Sequence, residues 1–201
     1  MKYSILLLIL SVFANANSQN NLKIESALNY QISENKKFAT AETTILTTKD
    51  FKNFEALNFF PIDTTYVVEA KFVRTLNEQP FLMVTTTDRL PEYVKYGEVY
   101  FQIKDKNYKL NLYQNTIPSK DPKYIDYLFL PFTDLTNGEK TYGGGRFLDA
   151  KIPKGDTMVL DFNKAYNPYC AYNSKYSCPI PPIENHLNIE IKAGVMAYSK
   201  H

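Results

Sequence analysis

Two cysteines, three consecutive glycines followed by an arginine, and a dense set of tyrosines, asparagines and prolines all fall within residues 140–185. Arg146 offers the planar donor fork that clamps a carboxylate or phosphate; its plainer role is a salt bridge to Asp149, Asp161 or Glu184. Asp161 and Asn163 stand two apart on a strand and so share a face. There Asp161 could orient a substrate or act as a general base, or accept hydrogen bonds from loop amides. Tyr142, Tyr166 and Tyr172 are amphipathic surfaces with a polar tip, and Glu184 and Asn185 close the stretch. These eight residues, Tyr142, Arg146, Asp161, Asn163, Tyr166, Tyr172, Glu184 and Asn185, are the candidate ligand-binding set. No catalytic set is assigned, because a paired-carboxylate mechanism needs a separation that sequence does not supply. The glycines at 143–145 lack the Lys-Ser/Thr ending of a phosphate loop, the GxGxxG spacing and a following helix. They read as a turn or bulge entering a strand, where positive φ or close backbone approach excludes a side chain.

The cysteines depend on compartment. Residues 1–16 carry a basic Lys2, an apolar run over 5–13 and Ala14-Asn15-Ala16 as a small-x-small cleavage motif, the pattern of a secretory signal peptide. The apolar run is shorter than the roughly 20 residues a spanning helix needs, so no stable membrane insertion is expected after cleavage. The expectation is an exported protein, periplasmic or secreted. Cys170 and Cys178, alone in such a chain, then form a disulfide by default, contributing about 2–3 kcal/mol in the chain-entropy model. A reactive thiol or a metal site is the lesser alternative, and zinc would need ligands that the two histidines, His186 and the terminal His201, supply poorly. No metal and no cofactor are expected. The net charge of +2 is small and the basic residues are dispersed, which gives no basis for nucleic-acid binding.

The elements that must position these residues follow from periodicity. Residues 17–201 are of ordinary single-domain size. Sixteen tyrosines and no tryptophan, with much Thr, Val and Phe, favour strands. Helical spacing of Leu22, Ile24, Ala27, Leu28 and Ile32 predicts a short amphipathic helix over 20–37. A second, brief helix is predicted after the Thr47 cap, with Phe51, Phe54 and Leu57 on one face. Eight strands are predicted, near 66–72, 81–87, 97–103, 108–114, 127–131, 146–150, 157–162 and 187–193. The last has the cleanest alternation, and the run at 127–131 is apolar enough to be buried on both sides. A turn is expected at 105–107. The fold class is mainly β, an antiparallel sandwich or open barrel with one or two short N-terminal helices. Residues 163–186 form a run too long for an ordinary loop, and their tyrosines and prolines favour an ordered cap.

Tyr142-Gly-Gly-Gly-Arg-Phe-Leu-Asp149, Leu160-Asp-Phe-Asn-Lys-Ala-Tyr-Asn-Pro168 and Cys178-Pro-Ile-Pro-Pro-Ile-Glu-Asn185 together resemble the bacterial and archaeal family of domain of unknown function 1684. Phe59-Phe-Pro-Ile-Asp63 and Leu130-Pro-Phe-Thr-Asp134 extend the likeness over most of the chain. The resemblance implies a family and no activity. The functional expectation therefore rests on the residues: a small ligand or a protein partner bound through the Tyr/Asn/Pro-rich cap. The alternative is a hydrolase using carboxylates and Arg146 in the same region.

Overall fold

A computed structural model describes residues 2–198, with the side chains of 18–117 and 119–198. The side chains of the expected signal peptide, residues 1–16, and His201 lie outside the described set. The chain opens with α1, Lys2–Phe38, longer than the expected helix. Among the described residues no helix is long and apolar enough to cross a membrane.

The face of α1 that docks is not the one its apolar spacing picks out. Leu22, Ile24, Leu28 and Ile32 are exposed, while Ala27 and Phe38 are buried and Tyr30 and Glu34 half-buried. Polar anchors select this face: the Leu57 amide donates to Asn35 Oδ1 at 2.7 Å, and Lys164 Nζ donates to Ser26 Oγ at 2.8 Å. The small Ala27 lets the helix approach closely between those anchors. Helix α2, Thr48–Lys52, begins at the expected Thr47 cap, whose hydroxyl oxygen accepts from the Asp50 amide. It ends well before Pro61, leaving Phe54 and Leu57 to pack from irregular chain.

The strands are β1 (Val67–Arg74), β2 (Phe81–Leu82), β3 (Glu92–Ile103), β4 (Lys106–Asn115), β5 (Tyr127–Asp134), β6 (Arg146–Lys151), β7 (Thr157–Asp161) and β8 (His186–Leu187). Their order is β6-β5-β4-β3-β1-β7, with β2 added to β3 and β8 to β5. All pairings are antiparallel except β5 with β8. Strands β6 and β7 stand at opposite ends of this order, yet only the loop 152–156 joins them. The sheet must therefore curl until its two edges approach, which makes an open half-barrel of the two architectures expected. Reciprocal amide bonds between Phe147 and Tyr166, at 2.9 and 3.0 Å, staple one end of the open side.

The β3–β4 turn falls at Lys104 and Asp105, one residue earlier than expected, and both have positive φ, as a tight two-residue hairpin requires. Alternation fills the barrel interior with Val99, Phe101, Leu110, Leu112, Leu130 and Leu148. The opposite face of β4–β6 is also covered, by a cluster of Met83, Tyr113, Phe129 and Phe147. Strand β5 is thus buried on both sides, as its apolar run predicts.

The strand expected over 187–193 is only two residues long, although its alternation is real: Leu187, Ile191 and Ala193 all point into the core. Beyond its two-residue pairing with β5 and the Leu135 amide, which donates to the Ile189 carbonyl at 3.1 Å, its backbone partners are side chains. Arg146 donates to the carbonyls of Ile191 and Ala193, and the Ile191 amide donates to Asp134 Oδ1 at 3.2 Å. Gly145 enters β6 with φ +89, and a Cβ there would lie 2.7 Å from the Phe132 carbonyl oxygen. The glycine run is the strand-entry turn the sequence predicts.

Candidate functional site

The eight residues singled out by sequence do not meet in one cavity. Arg146 and Asn185 are 0% exposed. Arg146 bonds Asp134 Oδ2 at 2.7 Å and two backbone carbonyls, and burial lowers its pKa against the opposing pull of Asp134. Asn185 exchanges bonds with the Asn111 backbone at 2.8 and 2.9 Å and donates to the Pro131 carbonyl at 2.7 Å. Asn163, buried, bonds the amide and carbonyl of Asp63, each at 3.0 Å. Asp161 ends its strand and caps the 3-10 turn Phe162–Lys164, accepting from the Asn163 amide at 3.1 Å. Tyr172 is buried edge-on against Phe38, and Glu184 is exposed on the turn Ile183–Asn185. The hydrolase arrangement expected around Arg146 is therefore corrected: the guanidinium is sealed in the core, where it serves Asp134 and the carbonyls of Ile191 and Ala193.

Tyr166 is the one member that lines a cleft of about 300 Å³ between α1, the outer face of β3–β6 and the cap; with Asp161 it also lines a groove of about 560 Å³ along α1. Helix α1 contributes Tyr30, Glu34 and Lys37, the β2–β3 connection Arg89, and β5 with β6 contribute Tyr127, Phe129, Phe147 and Asp149. The cap adds Tyr166, Tyr169 and the segment 177–179. It is held there by its backbone: the Thr86 amide donates to the Cys178 carbonyl and the Ile180 amide to the Val84 carbonyl, both at 2.9 Å.

At the wall of the cleft stands Asp149, exposed to solvent. The hydroxyls of Tyr127 and Tyr166 both donate to its Oδ1, at 2.7 and 2.6 Å. Its Oδ2 has no protein donor among the described residues. Burial first, then the Asp149 charge, raises the pKa of Tyr127 and Tyr166 well above the phenol range; burial with Glu34 and Asp149 does the same to Tyr30. These phenols therefore stay protonated and act as donors, not as bases. At the rim, Lys37 Nζ donates to Tyr169 Oη at 3.0 Å and meets Glu34 at 3.4 Å. Arg89 donates to Ser177 Oγ at 3.3 Å and to its carbonyl at 3.1 Å.

From sequence, Asp149 is only one of three salt-bridge partners for Arg146, and Lys37 and Arg89 carry no role. One signal was available: Phe147 and Asp149 share a face of β6 beside the doubly buried β5, which places an acid at the margin of an aromatic surface.

Cys170 and Cys178, expected to be joined, stand as two free thiols in contact. The Cys170 amide donates to Cys178 Sγ at 3.1 Å, and Tyr142 Oη lies 3.8 Å from Cys170 Sγ. The Cys178 thiol, with Tyr142 and Thr86, stabilises the Cys170 thiolate and lowers its pKa to about 6, while Cys178 is driven the other way. Because the thiolate is the nucleophile, iodoacetamide should alkylate Cys170 of the reduced protein at a rate that climbs through about pH 6 and levels off by about pH 8. A rate still rising steeply above pH 8 would show an ordinary thiol. No three His, Cys, Asp or Glu residues cluster as a metal site among the described residues.

The model of the family described as "Protein of unknown function (DUF1684)" matches residues 52–196. The chain is also similar to the uncharacterized protein from gene locus rrnAC0354 of Haloarcula marismortui, solved by solution NMR. The identity is 26%, the match covers 92% of this chain and 99% of that one, and the TM-score is 0.69. No functionally curated protein matches. With a family model spanning well over half its length and a solved structure sharing its curled sheet, the chain belongs to the DUF1684 family of proteins of unknown function.

Proposed function

We propose that this is an exported single-domain protein that binds a small organic ligand in the cleft between α1, the outer face of β3–β6 and the cap. The observation that supports it is the convergence, on one open space, of aromatic and ionisable side chains from five stretches far apart in sequence, in α1, the sheet with its β2–β3 connection, and the cap. Seven aromatic side chains line this cleft of ligand size, Phe129 and Phe147 buried and the other five half-buried. The phenols around Asp149 are fixed as neutral donors, which suits recognition better than acid–base chemistry. Export is supported by residues 1–16, and every α1 residue lining the cleft follows the expected cleavage point.

In an oxidising compartment the adjacent Cys170 and Cys178 would close a disulfide and hold the cap at the cleft rim, where Cys178 and Pro179 stand. The test of binding is a fragment screen read by backbone amide NMR shifts on the protein lacking residues 1–16, the expected exported form. Shifts clustering at Tyr30, Arg89, Asp149 and Tyr166 support the reading. Hits that map elsewhere, or a diverse screen without hits, overturn it.

A further inference from the structure

The cleft holds two charged groups of opposite sign, and neither has an ionic partner. Asp149 and Arg89 make no salt bridge among the described residues, although the same residues form nine others. Both line the one 300 Å³ space. On the Asp149 side the walls are aromatic: Tyr30, Tyr127, Phe147 and Tyr166. Tyr127 and Tyr166 donate only to Oδ1, which leaves Oδ2 open to solvent or to a ligand donor.

A carboxylate bordered by aromatic side chains can recognise an organic ammonium group: the carboxylate supplies charge, and an exposed ring face adds cation–π attraction. Because the donating phenols stay neutral, they add no competing charge to the wall. At the rim Arg89 is exposed and its guanidinium bonds only Ser177 among the described residues, which leaves guanidinium donors for an acidic group. The other rim cation, Lys37, is engaged by Glu34 and Tyr169.

We propose that the cleft takes a small organic zwitterion, with its ammonium group against Asp149 among the aromatic side chains and its acidic group at Arg89. This rests on the proposed cleft binding and adds the ligand's charge pattern. A ring or short aliphatic body between the two ends would lie along the half-buried rings of Tyr30, Tyr93, Tyr127 and Tyr169. No covalent step is involved.

The test is a matched set of probes titrated into the same protein by calorimetry and amide NMR: 4-(aminomethyl)benzoate, benzylammonium, benzoate and benzyl alcohol. The zwitterion should bind tightest and benzylammonium next. Asp149→Asn keeps acceptors for both tyrosine hydroxyls and so should preserve the thermal unfolding curve. It should weaken both ammonium probes at least tenfold and leave benzoate unchanged. Arg89→Gln should bring the zwitterion down to the affinity of benzylammonium. If benzyl alcohol or benzoate binds the cleft as tightly as the zwitterion, the charge pattern is wrong while cleft binding stands. If no probe binds, the zwitterion assignment falls, and the fragment screen decides separately whether cleft binding falls with it.

Discussion

Replacing Arg146 with methionine should cost about 3–5 kcal/mol and leave little folded protein at physiological temperature, as read by urea unfolding followed by circular dichroism. The loss comes from what the arginine leaves behind. Asp134 would keep a fully buried charge with no cation, and removing one partner of a buried pair is destabilising on that scale. The carbonyls of Ile191 and Ala193 would lose their donor as well, each a buried acceptor left unsatisfied. A double replacement separates the two contributions. In many proteins, exchanging both members of a buried ion pair for apolar residues is nearly neutral. Here Asp134 Oδ1 also accepts from the amides of Thr136 and Ile191, so Arg146→Met with Asp134→Leu should remain unstable. Recovery of wild-type stability in the double variant would show that the pair matters only as a charge and not as the partner of the 187–193 backbone.

Much of this architecture is legible from alternation and turn residues alone. Six of the eight expected strands occur at close to their expected positions, because each has one face that must leave water and a period of two that says which, while those expected over 81–87 and 187–193 shrink to two residues each, Phe81–Leu82 and His186–Leu187. The cap is also legible, since a long run of tyrosine and proline packs more readily than it disorders. Pairing is what alternation cannot supply. That Tyr127 and Tyr166 both reach Asp149 depends on β5 lying beside β6 and on the cap crossing back to Phe147. The α1 contribution depends on which helix face docks, and there Asn35 and Ser26 outweigh the apolar stripe. The failure at 187–193 has a similar origin: its side chains obey strand periodicity, while its backbone bonds a buried arginine and aspartate.

The motifs that carry the family resemblance prove mostly to be joints between distant segments. Arg146 meets Asp134, Asn163 meets Asp63, and Gly145 admits the chain past Phe132. These residues attracted a ligand-binding reading because polar groups in an aromatic setting look alike whether they face a cleft or a core. Burial separates the two cases, and it places the charged groups of the cleft, Asp149 and Arg89, outside the set chosen from sequence.

Asn185 gives the second large effect for the same reason. Its amide oxygen accepts from the Asn111 amide, and its Nδ2 group donates to the carbonyls of Asn111 and Pro131. One side chain thereby joins β4 to β5 where the ladder between them is thin: that pairing registers only at Tyr113 and Phe129. Asn185→Leu keeps the branched shape and heavy-atom count but strands three buried polar groups, at about 1–3 kcal/mol each before relaxation, so a net loss of about 3–5 kcal/mol is expected in the same unfolding measurement. Asn185→Asp should cost a similar amount, because the carboxylate keeps the acceptor, loses both donors and adds a buried charge. Glu184, one residue earlier and exposed, should tolerate replacement by glutamine within about 0.5 kcal/mol. Equal tolerance at positions 184 and 185 would mean that the turn Ile183–Asn185 sits on the barrel without holding it; a sharp contrast between them would identify Asn185 as the bolt joining β4 to β5.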